Sequence, residues 1–107
     1  NYSIGLLREI LVYLDQPENR SLQETYQNLK SQRADVRYEL AKALTKAGRK
    51  ADALQTLNEL ADEAMSSVYA DWLENDKNWF ASLGEEVEFK NAIARLRSLD
   101  NFGRNSA

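Results

Sequence analysis

The sequence predicts an all-α, single-domain fold, and three observations carry that prediction. Apolar residues recur at spacings of three and four, the period of a helix face. Glycine and proline are scarce, and Pro17, Gly48 and Gly84 fall between the periodic stretches. No segment alternates apolar and polar residues over the length of a strand. At 107 residues the chain is of a size to share one hydrophobic core.

The first helix is expected over about 3–15, where Ile4, Leu7, Leu11 and Leu14 share one stripe with Leu6, Ile10 and Tyr13 beside it. Asp15, Gln16 and Pro17 end it. Ser21 and Glu24 stand in capping-box spacing and open a second helix over about 21–32, with Leu22, Tyr26 and Leu29 as its buried stripe. Asp35 is a weaker cap for a third helix carrying Val36, Leu40, Ala43, Leu44 and Ala47, which Gly48 stops in a left-handed turn. A fourth helix, about 50–66, buries Ala53, Leu54, Leu57, Leu60, Ala61 and Ala64. Tyr69, Trp72 and Leu73 mark a short fifth helix ending near Asp76, and 78–83 form a further turn holding Trp79 and Phe80. Val87, Phe89, Ile93, Leu96 and Leu99 resume the helical period to about 98, and the tail 101–107 reads as frayed.

Composition narrows the function classes. Fourteen Lys and Arg against 17 Asp and Glu give a formal net charge of -3, so no overall positive field draws in nucleic acid or an anionic membrane. The apolar runs are far shorter than the roughly 20 residues that span a bilayer. Without cysteine there is no disulfide, thiolate nucleophile or sulfur-bound zinc, and without histidine the commonest general base and metal ligand are gone. The expectation is therefore a non-catalytic chain with no cofactor and no metal. The compartment stays open, with the cytoplasm favoured. A chain opening on Asn1 is expected to be a piece of something longer.

An internal repeat changes the meaning of every apolar position within it. Leu40, Ala41 and Leu44 answer to Leu6, Leu7 and Ile10 at a shift of 34 residues, and Leu54, Leu57 and Leu60 answer to Leu22, Tyr26 and Leu29 at a shift near 31. Residues 38–64, YELAKALTKAGRKADALQTLNELADEA, resemble one helix pair of the tetratricopeptide repeat. Leu40, Ala41 and Leu44 match its first helix, Gly48 its turn, and Ala53 and Leu57 its second helix. The departures are Arg37, where an aromatic is usual, Lys50, and Leu60, where alanine is common. Residues 71–96, DWLENDKNWFASLGEEVEFKNAIARL, resemble the end-of-group motif that closes bacterial tetratricopeptide arrays, through Trp72, Leu73, Asp76, Phe80, Leu83 and Phe89. Lys77 and Gly84 depart from that motif.

The resemblance implies helical hairpins of an α-α superhelix, divided as a degenerate pair (1–33), a well-matched pair (34–66) and closing helices (67–107). It also implies that the first helix of each pair lines a concave, partner-binding face. Carried over, that face holds Asp35, Tyr38, Lys42, Thr45 and Lys46, with Arg8 as the nearest equivalent on the first helix. Two lysines beside a tyrosine suit an acidic or C-terminal carboxylate peptide.

Trp72, Trp79, Phe80 and Phe89 read as packing for a closing helix rather than as an exposed pocket. Asp71, Glu74, Asp76, Glu85, Glu86 and Glu88 read as a solvated face, since they lack the spacing and glycine of a calcium loop. The expected function is a protein or peptide interaction module of a larger bacterial protein. The alternative is a purely structural segment that caps or dimerises its parent chain, and self-association stays open.

Overall fold

Ser3 sets the start of the chain's first helix: its Oγ accepts the Leu6 amide at 3.0 Å, filling one of the donors that a helix start leaves unpaired. In the computed structural model the backbone is described for residues 3–25 and 27–106, and side chains for 3–23 and 31–99. Those residues form α1 (Ile4–Leu14), α2 (Pro17–Thr25), α3 (Gln27–Lys46), α4 (Lys50–Glu63), α5 (Val68–Asn75), a 3-10 turn (Ala81–Leu83) and α6 (Val87–Ser106), with no strand among them.

The far end of α1 is closed by side-chain amides. Gln16 Nε2 donates to the Val12 carbonyl at 3.3 Å, Asn19 Nδ2 to Tyr13 at 2.7 Å and Gln23 Nε2 to Leu14 at 2.9 Å. The Val12 and Tyr13 carbonyls also accept the Asp15 and Gln16 amides at 3.2 Å, so Leu14 is the one that relies on a side chain. This corrects the expected second helix. Pro17 starts it instead of delaying it, because a first-turn residue needs no amide hydrogen. Leu22, expected in the core, is 49% exposed, and Gln23 takes the buried position beside it. Tyr26 and the side chains of Glu24 and Leu29 lie outside the described residues.

The helix after it is also longer than expected. Asp35 does not cap; α3 runs through it, with Arg33 and Ala34 buried on the same face as Tyr38 and Ala41. Burial of that stripe overrides the weak helix preference of aspartate. Gly48 ends the helix at φ 78, with its amide on the Thr45 carbonyl at 3.1 Å and the Arg49 amide on Leu44 at 2.9 Å. This pair of bonds is a Schellman motif, and the positive φ is what calls for glycine. At the other end of the chain, α6 continues to Ser106 where fraying was expected.

Ion pairs and ring contacts fix the directions. Arg33 and Arg37 near the start of α3 meet Glu63 at the end of α4, so these two helices run antiparallel. Tyr69 meets Asp35 while Trp72 meets Tyr38, so α5 runs parallel to α3. Lys50 meets Glu86 and Asp62 meets Arg95, which sets α6 parallel to α4. The principal extents of 37 × 36 × 19 Å describe a slab about two helices thick.

By contrast, α1 runs antiparallel to α3: Asp15 pairs with Arg33 at one end, and Ile4 sits beside Lys46 and Ala47 at the other. It packs mainly on α3 and only marginally on α2. The expected equivalence of α1 and α3 therefore fails on direction, and Leu6, matched to buried Leu40, is exposed.

The core joins Leu7 and Leu11 to Leu40, Ala41 and Leu44, then to Ala53, Leu57 and Leu60, and finally to Leu73, Phe80, Leu83 and Leu96. Ala53 is wholly buried where α3 and α4 press together. Tyr38 stands edge-on to Trp72 (5.3 Å) and Phe80 (6.1 Å), and Phe80 to Phe89 is 5.8 Å, so the closing aromatics pack as expected, Trp79 excepted. Val87, expected on the buried stripe of the last helix, is exposed.

Candidate functional site: a groove between two helices and Trp79

Because α1 lies antiparallel beside α3, the start of α1 faces the end of α3 near Gly48. The space between them is an open groove of about 490 Å³, lined by Ser3, Ile4, Leu7, Glu39, Lys42, Ala43, Lys46, Ala47 and Trp79. Its floor is apolar, from Ile4, Leu7 and the two alanines. One wall is charged.

Trp79 forms the far side. Its Nε1–H donates to the Lys42 carbonyl at 2.9 Å, and the ring remains 42% exposed. The Lys42 ammonium lies 4.8 Å from the ring centroid and that of Lys46 5.7 Å, both within cation–π range. An indole normally buried for its area is thus pinned at the surface by its polar end.

Lys42 is half-buried and 3.7 Å from an Asp76 carboxylate oxygen, with the Tyr38 ring 5.8 Å away. Lys46 makes no ion pair among the described residues. Glu39 lines the opposite end of the groove, about 10 Å back along the helix at 1.5 Å per residue.

The six residues expected to share one face separate. Lys42 and Lys46 come together in the groove. Tyr38 is only 3% exposed; its hydroxyl hydrogen-bonds to the Trp72 carbonyl at 3.0 Å and to the Asp76 carboxylate. Burial first, and then Asp76, push its phenol well above the ordinary tyrosine range, so it stays a neutral strut rather than a contact residue. Thr45 turns its hydroxyl back to the Ala41 carbonyl at 2.7 Å. Asp35 lies about 16 Å from Lys46 along α3, where it accepts the Tyr69 hydroxyl at 2.7 Å. Arg8 points to Asp52 of α4 at 3.8 Å and does not line the groove.

Trp79 was assigned to the core from sequence. The only local hint is its neighbourhood, since polar Lys77 and Asn78 precede it while Phe80 takes the buried position. The acidic residues read as a solvated face are largely clasps: Asp76 holds Tyr38 and Lys42, Glu86 holds Lys50, and Asp71 and Glu74 hold Arg97. Among the described residues no group of three or more carboxylates converges to hold a metal ion, and no helix is long and apolar enough to cross a membrane. No protein-family model, curated protein or solved structure matches the chain.

Proposed function

We propose that this chain is a non-catalytic, tetratricopeptide-like interaction module of a larger bacterial protein, and that it takes a partner segment in the groove between α1, α3 and Trp79. The observation that carries the reading is the tryptophan. An indole anchored by its N–H, half-exposed over an apolar floor and flanked by two ammonium groups, has the makeup of an interface hot spot. Few rotamers remain to be frozen on binding, which lowers the entropic cost of association.

Peptide display against the folded chain tests this. Random peptides selected on the wild-type chain are expected to lose binding to Trp79→Ala, with circular dichroism and melting measured alongside to show that the variant is folded. Selection that yields only binders indifferent to Trp79 sinks the groove as the working surface.

A second reading rests on a separate observation. Leu6, Val12, Tyr13 and Leu22 are all exposed on α1 and α2, whereas α6 exposes Glu88, Lys90 and Asn91 with Val87 at its start. One end of the slab is apolar and the other wet, as in the last unit of a stacked array. In that reading the segment caps or dimerises a parent chain. Concentration-dependent sedimentation abolished by Tyr13→Glu supports it, and a strictly monomeric wild-type chain speaks against the dimerising form.

A further inference from the structure

We infer that the groove selects a segment bearing a single carboxylate two residues from an apolar side chain, with Lys46 as the cation that binds it and Lys42 as the post that holds Trp79. This inference rests on the groove being the binding face and names the chemistry of its occupant.

The two lysines are not equivalent. The charge of Lys42 is already answered by Asp76, its backbone carbonyl receives the Trp79 N–H, and its ammonium sits against two rings. Recruiting its ammonium to a ligand would break the ion pair with Asp76 and the two ring contacts, though not the backbone bond to Trp79. Lys46 is exposed, without a carboxylate partner among the described residues, and in the last turn of α3. It touches only the face of Trp79. It can therefore accept a carboxylate without losing anything the fold depends on.

Geometry sets the pattern of the ligand. In an extended chain, side chains two residues apart share a face and stand about 6.6 Å from each other. The Lys46 ammonium lies 5.7 Å from the Trp79 ring centroid, with Ile4 and Leu7 across the groove. A carboxylate on Lys46 thus places the next same-face side chain over the indole and the apolar floor. Glu39 at the other end repels a second acid, so one carboxylate fits where an acidic run does not.

The test uses terminally blocked heptapeptides and the whole chain. The probe is Ser-Leu-Ser-Asp-Ser-Leu-Ser; one control carries asparagine for the aspartate, and another carries serine for both leucines. Binding is read from the Trp79 indole N–H resonance, assigned by its loss in Trp79→Phe. The aspartate peptide should bind about 1.5- to fivefold tighter than the asparagine peptide, the range expected for an exposed ion pair. Lys46→Gln should erase that preference while the asparagine peptide still binds. Lys42→Gln should weaken both peptides alike.

Equal binding of the aspartate and asparagine peptides to wild type overturns the carboxylate assignment while leaving the groove reading standing. Preference that survives Lys46→Gln and vanishes in Lys42→Gln overturns the division of labour between the lysines. An indole resonance unmoved by any peptide, serine control included, overturns the inference together with the groove reading it rests on.

Discussion

Replacing Arg33 by methionine should destabilise the chain by about 2 kcal/mol at neutral pH and by much less in acid. Arg33 is 7% exposed and bridges two elements: Nη1 is 2.6 Å from Asp15 Oδ1 beyond α1, and Nε and Nη2 are each 2.8 Å from Glu63 Oε1 at the end of α4. Removing one partner of a fully buried charge pair costs about 3–5 kcal/mol. Here the loss is smaller, because Glu63 keeps Arg37 and the exposed Asp15 keeps Arg20 at 3.2 Å. Hydrogen bonds to charged groups at about 1.5–3 kcal/mol bracket the remainder.

The pH dependence follows from Glu63. Burial alone would raise its pKa, but hydrogen bonds and charge from Arg37 and Arg33 outweigh it and hold the carboxyl below the usual glutamate range. A carboxyl depressed in the folded state stabilises the fold above its unfolded pKa, about 4.3, and that contribution is lost as pH falls through the folded value. Urea melts of wild type and Arg33→Met at pH 7 and pH 3 measure both effects. A penalty under about 0.5 kcal/mol at pH 7, or one of equal size at both pH values, refutes the argument.

Two further outcomes are expected. Ala53→Leu, at a fully buried helix contact, should cost about 1–3 kcal/mol in chemical denaturation, since the added methylenes must part α3 from α4. Tyr38 and Tyr69 are both raised, by burial first and then by Asp76 and Asp35 respectively, so their neutral forms stabilise the fold below the ordinary tyrosine value of about 10 and that support is lost as pH rises above it. Ultraviolet titration should show a tyrosine component that ionises only as the chain unfolds in alkali and shrinks in Tyr38→Phe and Tyr69→Phe, and smooth titration of all five tyrosines in a still-folded chain would contradict this.

Legibility in the sequence tracked how local each cause was. Gly48 was readable because a left-handed helix stop is decided by one residue and its two neighbours. The α4 stripe was readable because Ala53, Leu57 and Leu60 repeat at the helix period. The boundary between α2 and α3 was not, since aspartate at 35 looks like a cap, while the buried stripe that carries the helix through it packs on α4 and α5, far along the chain. Gln23 went unseen for a related reason: its burial depends on an unsatisfied carbonyl nine residues earlier. In the groove, the lysines came from the tetratricopeptide resemblance together with their place off the Leu40 and Leu44 stripe. Their different roles, and the place of Trp79 between them, come from contacts across some 37 residues of sequence.

The reversed direction of α1 also bears on how the molecule can be lengthened by design. Moving from the α3–α4 pair to the α5–α6 pair keeps both helix directions, so that step approximates a translation that could be iterated towards the C-terminus. Beside α3 in the opposite sense, α1 carries its own polarity and breaks that symmetry. A copy of residues 34–66 placed ahead of the existing one would meet α1 in the antiparallel sense that α3 does now. An engineer extending the slab can therefore insert units between α2 and α3, with α1 left as the N-terminal cap and the groove rebuilt against the first copy.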